Sequence, residues 1–166
     1  MTDLHTHVLP GMDDGSASVE ESLHMLSALA IEGSRLLLVE MPFTRWSGRV
    51  VQELIQLHTQ GENRVLLAHI ERYLHAQEPA VWERLLRAGV LMQANAGFFL
   101  HWRTRHRAVR MLREGRIHLL GSDTHNMSTR PPELGRALQG IGPEGRQRLA
   151  ENERLLLPRW EGEGPV

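Results

Sequence analysis

Short apolar runs alternate with amphipathic segments along most of this 166-residue chain, and glycine or proline marks many of the boundaries. Continuous apolar runs are typical of strands buried on both faces, and a period near 3.6 in the segments between them is typical of helices. This alternation predicts a parallel sheet with crossover helices, hence an α/β fold. We expect about five parallel strands, at 3–8, 35–41, 64–69, 90–96 and 116–122.

The segments between the strands carry helix start and stop signals. Ser18 and Glu21 form a capping box, and Pro79 fits the first turn of a later helix. These signals predict helices over 18–33, 47–60, 79–88, 104–114, 132–139 and 143–150. Without repeats or a break in composition, we expect one domain over residues 1–157, followed by a loose tail over 158–166.

The composition excludes several kinds of chemistry. The chain has no cysteine and no lysine, and all 19 basic residues are arginine. Thiolate zinc sites, a cysteine nucleophile, Schiff-base lysines and a Walker-type lysine are therefore excluded. The net charge of −1 gives no general attraction to nucleic acid or to anionic membranes. The N-terminus lacks a signal-peptide pattern and no apolar run reaches about 20 residues, so we expect a cytoplasmic protein without membrane insertion.

Histidine, aspartate and asparagine collect at the carboxyl ends of the predicted strands. In a parallel α/β fold these ends form one rim, where ligands gather. Side chains two positions apart on a strand share a face, so a His-x-His or Asp-x-His pair presents both groups on the same side. The candidate metal ligands are His5, His7, Asp14, His69, Asp123 and His125, and Asn95 ends the fourth strand.

Each of these groups has an ordinary structural explanation when it is taken alone. A His-x-His pair can be two polar surface residues, Asp13-Asp14-Gly15 can be a turn, and His69 can be a hydrogen-bonded core histidine. Their convergence at one rim is what indicates a metal site. Imidazole and carboxylate ligands suit manganese, iron or zinc better than calcium.

Two arginines follow these candidate ligands at short distances along the chain. Arg72 is three residues beyond His69, and Arg130 is five residues beyond His125. A guanidinium group above a metal cluster suits a phosphate ester, because the metals polarise the phosphoryl oxygens and the arginine holds the others. The alternative for each arginine is a surface salt bridge, for Arg72 with the neighbouring Glu71.

A separate basic cluster runs along the predicted helix over 104–114. We interpret it as a solvated helix face, with an anion or phosphopeptide dock as the alternative. Its members are Arg103, Arg105, Arg107, Arg110, Arg113 and Arg116. His58 has no partner pattern and is expected at the surface, whereas His118 lies inside a predicted strand and is expected to be structural.

With these residues in place, the sequence resembles the polymerase-and-histidinol-phosphatase (PHP) superfamily. Within it, the chain is most similar to the manganese-dependent bacterial tyrosine-protein phosphatases of capsule and exopolysaccharide synthesis, the CpsB/CapC type. The matching blocks are DLHTHVLPGMDDG at 3–15, VEESLHM at 19–25, LLAHIERY at 66–73, QANAG at 93–97, HLLGSDTHNMSTRPPEL at 118–134 and AENERLLL at 150–157.

The resemblance implies a PHP-type distorted β/α barrel that holds one to three divalent metal ions, manganese above iron or zinc. A metal-activated water would attack the phosphorus of a phosphotyrosyl ester. The six candidate ligands match metal-ligand positions of the family, Arg72 and Arg130 match its phosphate-binding arginines, and Asp123 counts among the catalytic residues as well. The implied partner is a phosphotyrosine protein, in particular a bacterial tyrosine autokinase, and the implied role is regulation of polysaccharide export.

The chain departs from the family pattern directly after Gly33. A block of some tens of residues is missing there, and with it one expected histidine and a bridging glutamate ligand. Glu40 is a candidate to replace that glutamate, although it also matches a glutamate that the family has at this position. The missing strands would be compensated by pairing of the first strand with residues 35–41, or by an open edge that a second copy covers.

This departure leaves two alternatives to a protein-tyrosine phosphatase. One is a catalytically depleted relative that binds metal or a phosphopeptide without turnover. The other is a phosphatase for a small-molecule ester such as histidinol phosphate.

Overall fold

A parallel sheet of four strands forms the centre of the described part of the protein. The computed structural model describes residues 35–121 and 134–156. The strands are β1 Leu36–Val39, β2 Arg64–Leu67, β3 Leu91–Asn95 and β4 Leu119–Gly121, and their order across the sheet is their order along the chain. Every neighbouring pair is parallel, and Leu67 stands opposite both Val39 of β1 and Met92 of β3. The carboxyl ends of the strands therefore lie along one edge.

Helices connect these strands and follow the last of them. Ser47 caps the first helix, since its hydroxyl accepts a hydrogen bond from the N–H of Val50 over 3.2 Å. Proline at the first turn starts the second helix, where its missing N–H costs nothing. The helices are α1 Gly48–Gln60, α2 Pro79–Arg87, α3 Ala96–Leu100, α4 Arg105–Arg113, α5 Leu134–Gly140 and α6 Pro143–Leu156, and a 3₁₀ turn spans Ile70–Arg72.

The two faces of the sheet carry cores of different size. The helices cover one face, where strand residues such as Leu37 and Leu67 pack into the main core with Leu54 and Leu85. The opposite face carries a layer with one leucine from each strand, namely Leu36, Leu66, Leu91 and Leu119. Because side chains alternate along a strand, Gln93 and Asn95 follow on this second face toward the carboxyl edge. Polar groups are therefore concentrated where the leucine layer ends.

The structure confirms four of the predicted strands, each shorter than expected, and the predicted helices within the described residues. The predicted strand 3–8, the helix 18–33 and the tail 158–166 lie outside those residues. One correction concerns the region after β3: the strand ends at Asn95, and Ala96 begins a short helix that the sequence did not predict. None of the described helices is long and apolar enough to cross a membrane.

Two histidines accept hydrogen bonds from strand residues: His58 near the end of α1 and His118 just before β4. His118 accepts a hydrogen bond at Nδ1 from the N–H of Met92 over 3.1 Å, which confirms its expected structural role. The surface position expected for His58 is wrong, because its half-buried ring accepts a hydrogen bond at Nδ1 from the N–H of Val65 over 3.0 Å. Burial lowers the pKa of both imidazoles, and the nearby positive charge of Arg64 lowers each further. Both rings are therefore held in the neutral form that can accept these bonds.

Candidate metal and phosphate site

His69 stands just beyond the end of β2, where the chain enters the 3₁₀ turn. Its backbone is left-handed, with φ 30° and ψ 55°, a region that residues other than glycine seldom occupy. The N–H of His69 donates to Oε1 of Gln93 over 2.6 Å, and its carbonyl accepts from the N–H of Arg72 over 2.9 Å. Such a conformation costs about 1–3 kcal/mol and persists where surrounding contacts fix it, which is common at functional sites.

The imidazole of His69 is the most unusual polar group in the described residues. The residue is only 3% exposed, and neither ring nitrogen has a partner with hydrogen-bond geometry among those residues. Nε2 nevertheless lies 2.9 Å from Oε1 of Glu40, close enough for an ion pair but not aligned as a hydrogen bond. Buried polar atoms are normally satisfied, so two unsatisfied ring nitrogens beside a carboxylate need an explanation. A nitrogen and an oxygen donor at this separation suit a shared divalent transition metal.

Glu40 reaches His69 because their strands are neighbours. Val39 ends β1 opposite Leu67 at the end of β2, and the carbonyl of Val39 accepts from the N–H of Ala68 over 2.9 Å. The next residues along the two strands are then Glu40 and His69, at the carboxyl edge of the sheet. The Glu40 side chain is 41% exposed, so its carboxylate remains open to solvent on one side.

Gln93, Asn95 and Glu71 form a polar network behind His69. Nε2 of Gln93 donates to Oδ1 of Asn95 over 3.0 Å, and the N–H of Asn95 lies 3.3 Å from both carboxylate oxygens of Glu71. Burial raises the pKa of the Glu71 carboxyl, and backbone hydrogen bonds oppose that shift. A Cβ atom at Gly121 would lie 2.3 Å from Nε2 of Gln93. Glycine at that position of β4 is therefore what leaves room for the glutamine.

An aromatic cluster fixes the loop between β1 and α1 against the 3₁₀ turn. Tyr73 is completely buried, and its hydroxyl accepts a hydrogen bond from the N–H of Met41 over 3.0 Å. The ring centroids of Phe43 and Trp46 lie 5.6 and 5.2 Å from that of Tyr73, and the ring of His69 lies 5.5 Å away. Burial raises the pKa of the Tyr73 phenol to about 12, so its hydroxyl stays protonated at neutral pH.

Arg72 and Phe43 face each other at the open side of this cluster. The guanidinium carbon of Arg72 lies 5.9 Å from the centroid of the Phe43 ring, at the outer limit of a cation–π contact. Phe43 is 55% exposed, and its ring stacks 6.3 Å from that of His69. An exposed aromatic ring, a guanidinium and a buried imidazole thus share one place on the surface.

Of the residues that the sequence predicted for the site, the structure describes His69 and Arg72. It brings them together with Glu40, the glutamate considered as a replacement ligand. Within the described residues, no third histidine or acidic side chain joins His69 and Glu40 in a metal-binding group. The other predicted site residues lie outside the described residues, namely His5, His7, Asp14, Asp123, His125 and Arg130.

Sequence reasoning missed three residues that shape this site. Gln93 was detectable, because a glutamine inside a buried apolar strand needs a local hydrogen-bond partner. Tyr73 follows the candidate arginine directly and is the only tyrosine of the chain, but no spacing rule connects it with Met41. Phe43 lies in a loop without any pattern, so only the folded chain shows that it stands beside His69.

A parallel α/β sheet with a histidine, a carboxylate and an arginine at its carboxyl edge is the architecture that the PHP resemblance implies. The family model of CpsB/CapC, described as capsular polysaccharide synthesis, matches residues 1–33 and 27–152. The chain therefore belongs to the CpsB/CapC family, as its sequence motifs indicate. The two matched segments meet at residues 27–33, next to the position at which the sequence analysis places the missing block.

Similar proteins agree with this assignment. The chain is 29% identical over 164 residues to the tyrosine-protein phosphatase YwqE of Bacillus subtilis, covering 93% of this chain and 64% of the relative. It is 30% identical over 159 residues to the tyrosine-protein phosphatase CpsB of Streptococcus agalactiae, covering 82% of this chain and 62% of the relative. The chain thus spans less than two thirds of the length of these relatives.

A solved structure supports the fold. It comes from work on YwqE of Bacillus subtilis and CpsB of Streptococcus pneumoniae, which are described as metal-dependent tyrosine phosphatases. The TM-score is 0.65 at 19% sequence identity, and the match covers 95% of this chain and 94% of that one. The predicted PHP-type α/β fold is confirmed by this match.

Proposed function

We propose that this chain is a metal-dependent phosphatase that hydrolyses phosphotyrosine on a protein. The observation that carries the proposal is the His69 imidazole, buried without a hydrogen-bond partner among the described residues and 2.9 Å from the Glu40 carboxylate. Membership of the CpsB/CapC family and the naming of two relatives as tyrosine-protein phosphatases support the same reading.

His69 and Glu40 would hold a divalent metal together with predicted ligands that lie outside the described residues. Those ligands are His5, His7, Asp14, Asp123 and His125, with Asp123 also counted as catalytic. Manganese is the metal that we expect, with iron or zinc as alternatives and one to three ions per chain. A bound metal of this kind would supply Lewis acidity toward the phosphoryl group and a nucleophile at neutral pH, and the absence of cysteine agrees with such chemistry.

The protein's own residues would position the substrate and the ligands. Arg72 would bind phosphoryl oxygens with its guanidinium fork, and Arg130 is proposed to do the same. Gln93 holds the backbone of His69 in its left-handed conformation. The imidazole would therefore already be in position before the metal binds. Tyr73 holds the β1–α1 loop in place through the N–H of Met41.

Phe43 supports an aryl phosphate rather than an alkyl phosphate as substrate. Its exposed ring lies beside Arg72, so a ligand with both a phosphate and an aromatic ring could contact the two side chains together. Stacking between aromatic rings adds about 0.5–1.5 kcal/mol beyond the burial of their area. We expect Phe43→Leu to weaken aryl phosphates while leaving small alkyl phosphates almost unchanged.

A metal- or phosphopeptide-binding relative without turnover is the second candidate. The family match in two segments that overlap at residues 27–33 favours it. The block that the sequence analysis finds missing next to that position would carry a histidine and a glutamate ligand. A small-molecule ester such as histidinol phosphate remains the alternative substrate.

Three further predictions stay open. They are a tyrosine autokinase as partner, a cytoplasmic location, and a second copy of the chain that covers the β1 edge.

The experiment that tests the proposal compares two histidine variants. Wild-type protein, freed of metal and reloaded with manganese, should hydrolyse p-nitrophenyl phosphate and lose this activity in a chelator. His69→Ala should lower kcat by at least about 100-fold, because even residues that only support metal ligands contribute 10- to 100-fold. His75→Ala is the matched control, since His75 is exposed and lies six residues further along the chain.

Two results would decide against the proposal. Metal-loaded wild type without turnover of aryl or alkyl phosphates would exclude a phosphatase. Stoichiometric phosphopeptide binding without release of inorganic phosphate would establish the second candidate instead.

A further inference from the structure

Two depressions adjoin α4, and His69 lines neither of them. The first is a cavity of about 330 Å³ whose apolar walls include Ile70, Trp82, Met92 and Met111. Its charged side is lined by three arginines and one glutamate, namely Arg107, Arg110, Arg116 and Glu114. A cavity of this size with apolar walls and a few charged groups fits the usual properties of a ligand-binding pocket.

The second depression lies between α4 and the α5–α6 connection. Its volume is about 590 Å³, and its lining includes Arg105, Val109, Arg113 and Gly140. Arg110 lines both depressions, so its side chain stands on the ridge between them. An extended chain crossing α4 would meet Arg110 at the centre and would have a depression at each end.

The charge of this surface is strongly one-sided. Residues 103–116 contain six arginines and one glutamate, and two further glutamates from neighbouring helices reach the same arginines. These pairs join Arg113 with Glu144 over 3.6 Å and Arg116 with Glu83 over 2.5 Å. Glu114 lies 3.9 Å from the guanidinium of Arg110. Six positive charges against three negative ones leave an excess of three, although the whole chain carries −1.

We propose that the α4 surface, defined as these two depressions and the arginines between them, binds an acidic peptide segment that carries one large apolar side chain. The apolar side chain would enter the cavity beside Trp82, and the acidic groups would pair with Arg107 and Arg110. Electrostatic attraction steers such a segment to the surface, and burial of the side chain then provides affinity.

A peptide fits this surface better than a nucleic acid does. Nucleic-acid binding relies on many phosphate contacts along a continuous basic track, and a cavity with apolar walls adds little to them. The cavity instead suits one side chain anchored between acidic neighbours. This inference rests on the proposed function in one respect: we assign the segment to the phosphotyrosine protein, which would gain a second contact and a higher effective concentration at the site.

The experiment measures peptide binding without any phosphate. A fluorescein-labelled peptide with four glutamates around one phenylalanine is titrated with the protein, and fluorescence anisotropy gives the Kd. We expect Arg107→Glu/Arg110→Glu to weaken binding by at least about ten-fold, since both side chains are exposed and would then repel the peptide. Arg107→Gln/Arg110→Gln should weaken it less, which separates the loss of attraction from the added repulsion.

Matched controls make the result specific. Arg87→Glu/Arg154→Glu applies the same charge change at two exposed helix positions outside both depressions and should leave the Kd within about two-fold. On wild-type protein, replacing the phenylalanine of the peptide by alanine should weaken binding by about ten-fold, because the cavity then stays empty. That comparison needs no protein variant, so it is independent of folding defects.

Three outcomes would overturn the inference. These are absence of binding to wild type, equal losses in the two charge-reversal proteins, and a Kd insensitive to the phenylalanine. Equally tight binding of a single-stranded oligonucleotide would assign the surface to nucleic acid. His69→Ala should bind the peptide as wild type does, so the proposed catalytic function and the α4 surface can fail separately.

Discussion

The His69 region and the α4 surface both concentrate polar side chains. In the first region neighbouring groups fix these side chains, whereas on the second most of them are exposed. At the carboxyl edge of the sheet, Gln93 fixes the backbone of His69 while Gly121 leaves room for Gln93. On α4 the arginines are mostly exposed, and their ion pairs are partly screened by water. Single changes should therefore have large effects in the first region and small ones in the second.

After His69→Ala, the largest effect is expected from Gly121→Ala, which changes no charge and removes no ligand. The new methyl group would displace the Gln93 amide and release the N–H of His69. Metal affinity and turnover should fall by about 10- to 100-fold, the usual result of removing a group that supports a ligand. Isothermal titration with manganese and a p-nitrophenyl phosphate assay would measure both.

The control is Gly97→Ala, because a Cβ atom at Gly97 would meet nothing within 4 Å and the residue lies in α3. It should keep wild-type metal affinity. Equal metal affinity in the two alanine variants would show that Gln93 does not position His69.

A smaller effect is expected from Tyr73→Phe, which leaves the N–H of Met41 without its acceptor. The free energy of unfolding should fall by about 1–3 kcal/mol, the cost of one unsatisfied buried donor. Urea denaturation would measure this loss. Trp102→Phe is the comparison, because Trp102 is 73% exposed and its replacement should leave the midpoint unchanged.

The same tyrosine gives a direct test of its pKa, since it is the only one in the chain. Its folded pKa of about 12 lies above the ordinary value of 10.0, so its burial stabilises the fold below pH 10 and that contribution is lost as the pH rises toward 12. Tyrosinate absorbance should appear only near pH 12 or together with unfolding. A midpoint near 10 in folded protein would contradict the burial of the Tyr73 phenol, which is the main cause of its raised pKa.

A moderate effect of acid is expected from His58 and His118. The pKa of each is lowered in the folded state, so the stabilisation from the neutral rings is present above the unfolded pKa and is lost as the pH falls through the folded one. The melting temperature should therefore decrease between pH 7.5 and 5.5. His58→Gln should reduce this decrease, whereas exposed His106→Gln should not. An identical decrease in both variants would exclude His58 as a cause.

The smallest effect is expected on α4. Arg113→Gln removes an exposed ion pair with Glu144, and such pairs contribute only about 0.2–1 kcal/mol. Urea denaturation at low and at 0.5 M salt should give nearly the same midpoint for variant and wild type. A loss comparable with that of Tyr73→Phe would mean that the α4 arginines are structural, and the contrast between the two regions would disappear.

The sequence predicted the four described strands well because each is a short apolar run, and burial on both faces requires such a run. It did not predict α3, because the helix has only five residues, the Asn95 side chain does not cap it, and Phe98 and Phe99 are buried by tertiary packing. It predicted His69 and Arg72 as site residues from position and family motif. It considered Glu40 only as a substitute, because a contact between β1 and β2 is not visible in the spacing of either segment.

The sequence by itself determined the α/β alternation, the family, the absence of cysteine chemistry and the kinds of side chain available to the site. These properties follow from local periodicity and from residue identity. Only the tertiary structure decided that Glu40 meets His69, that Phe43 lies beside Arg72, and that α4 separates two depressions. Strand pairing and helix packing bring these residues together across long stretches of chain, and no local pattern records which distant residues become neighbours.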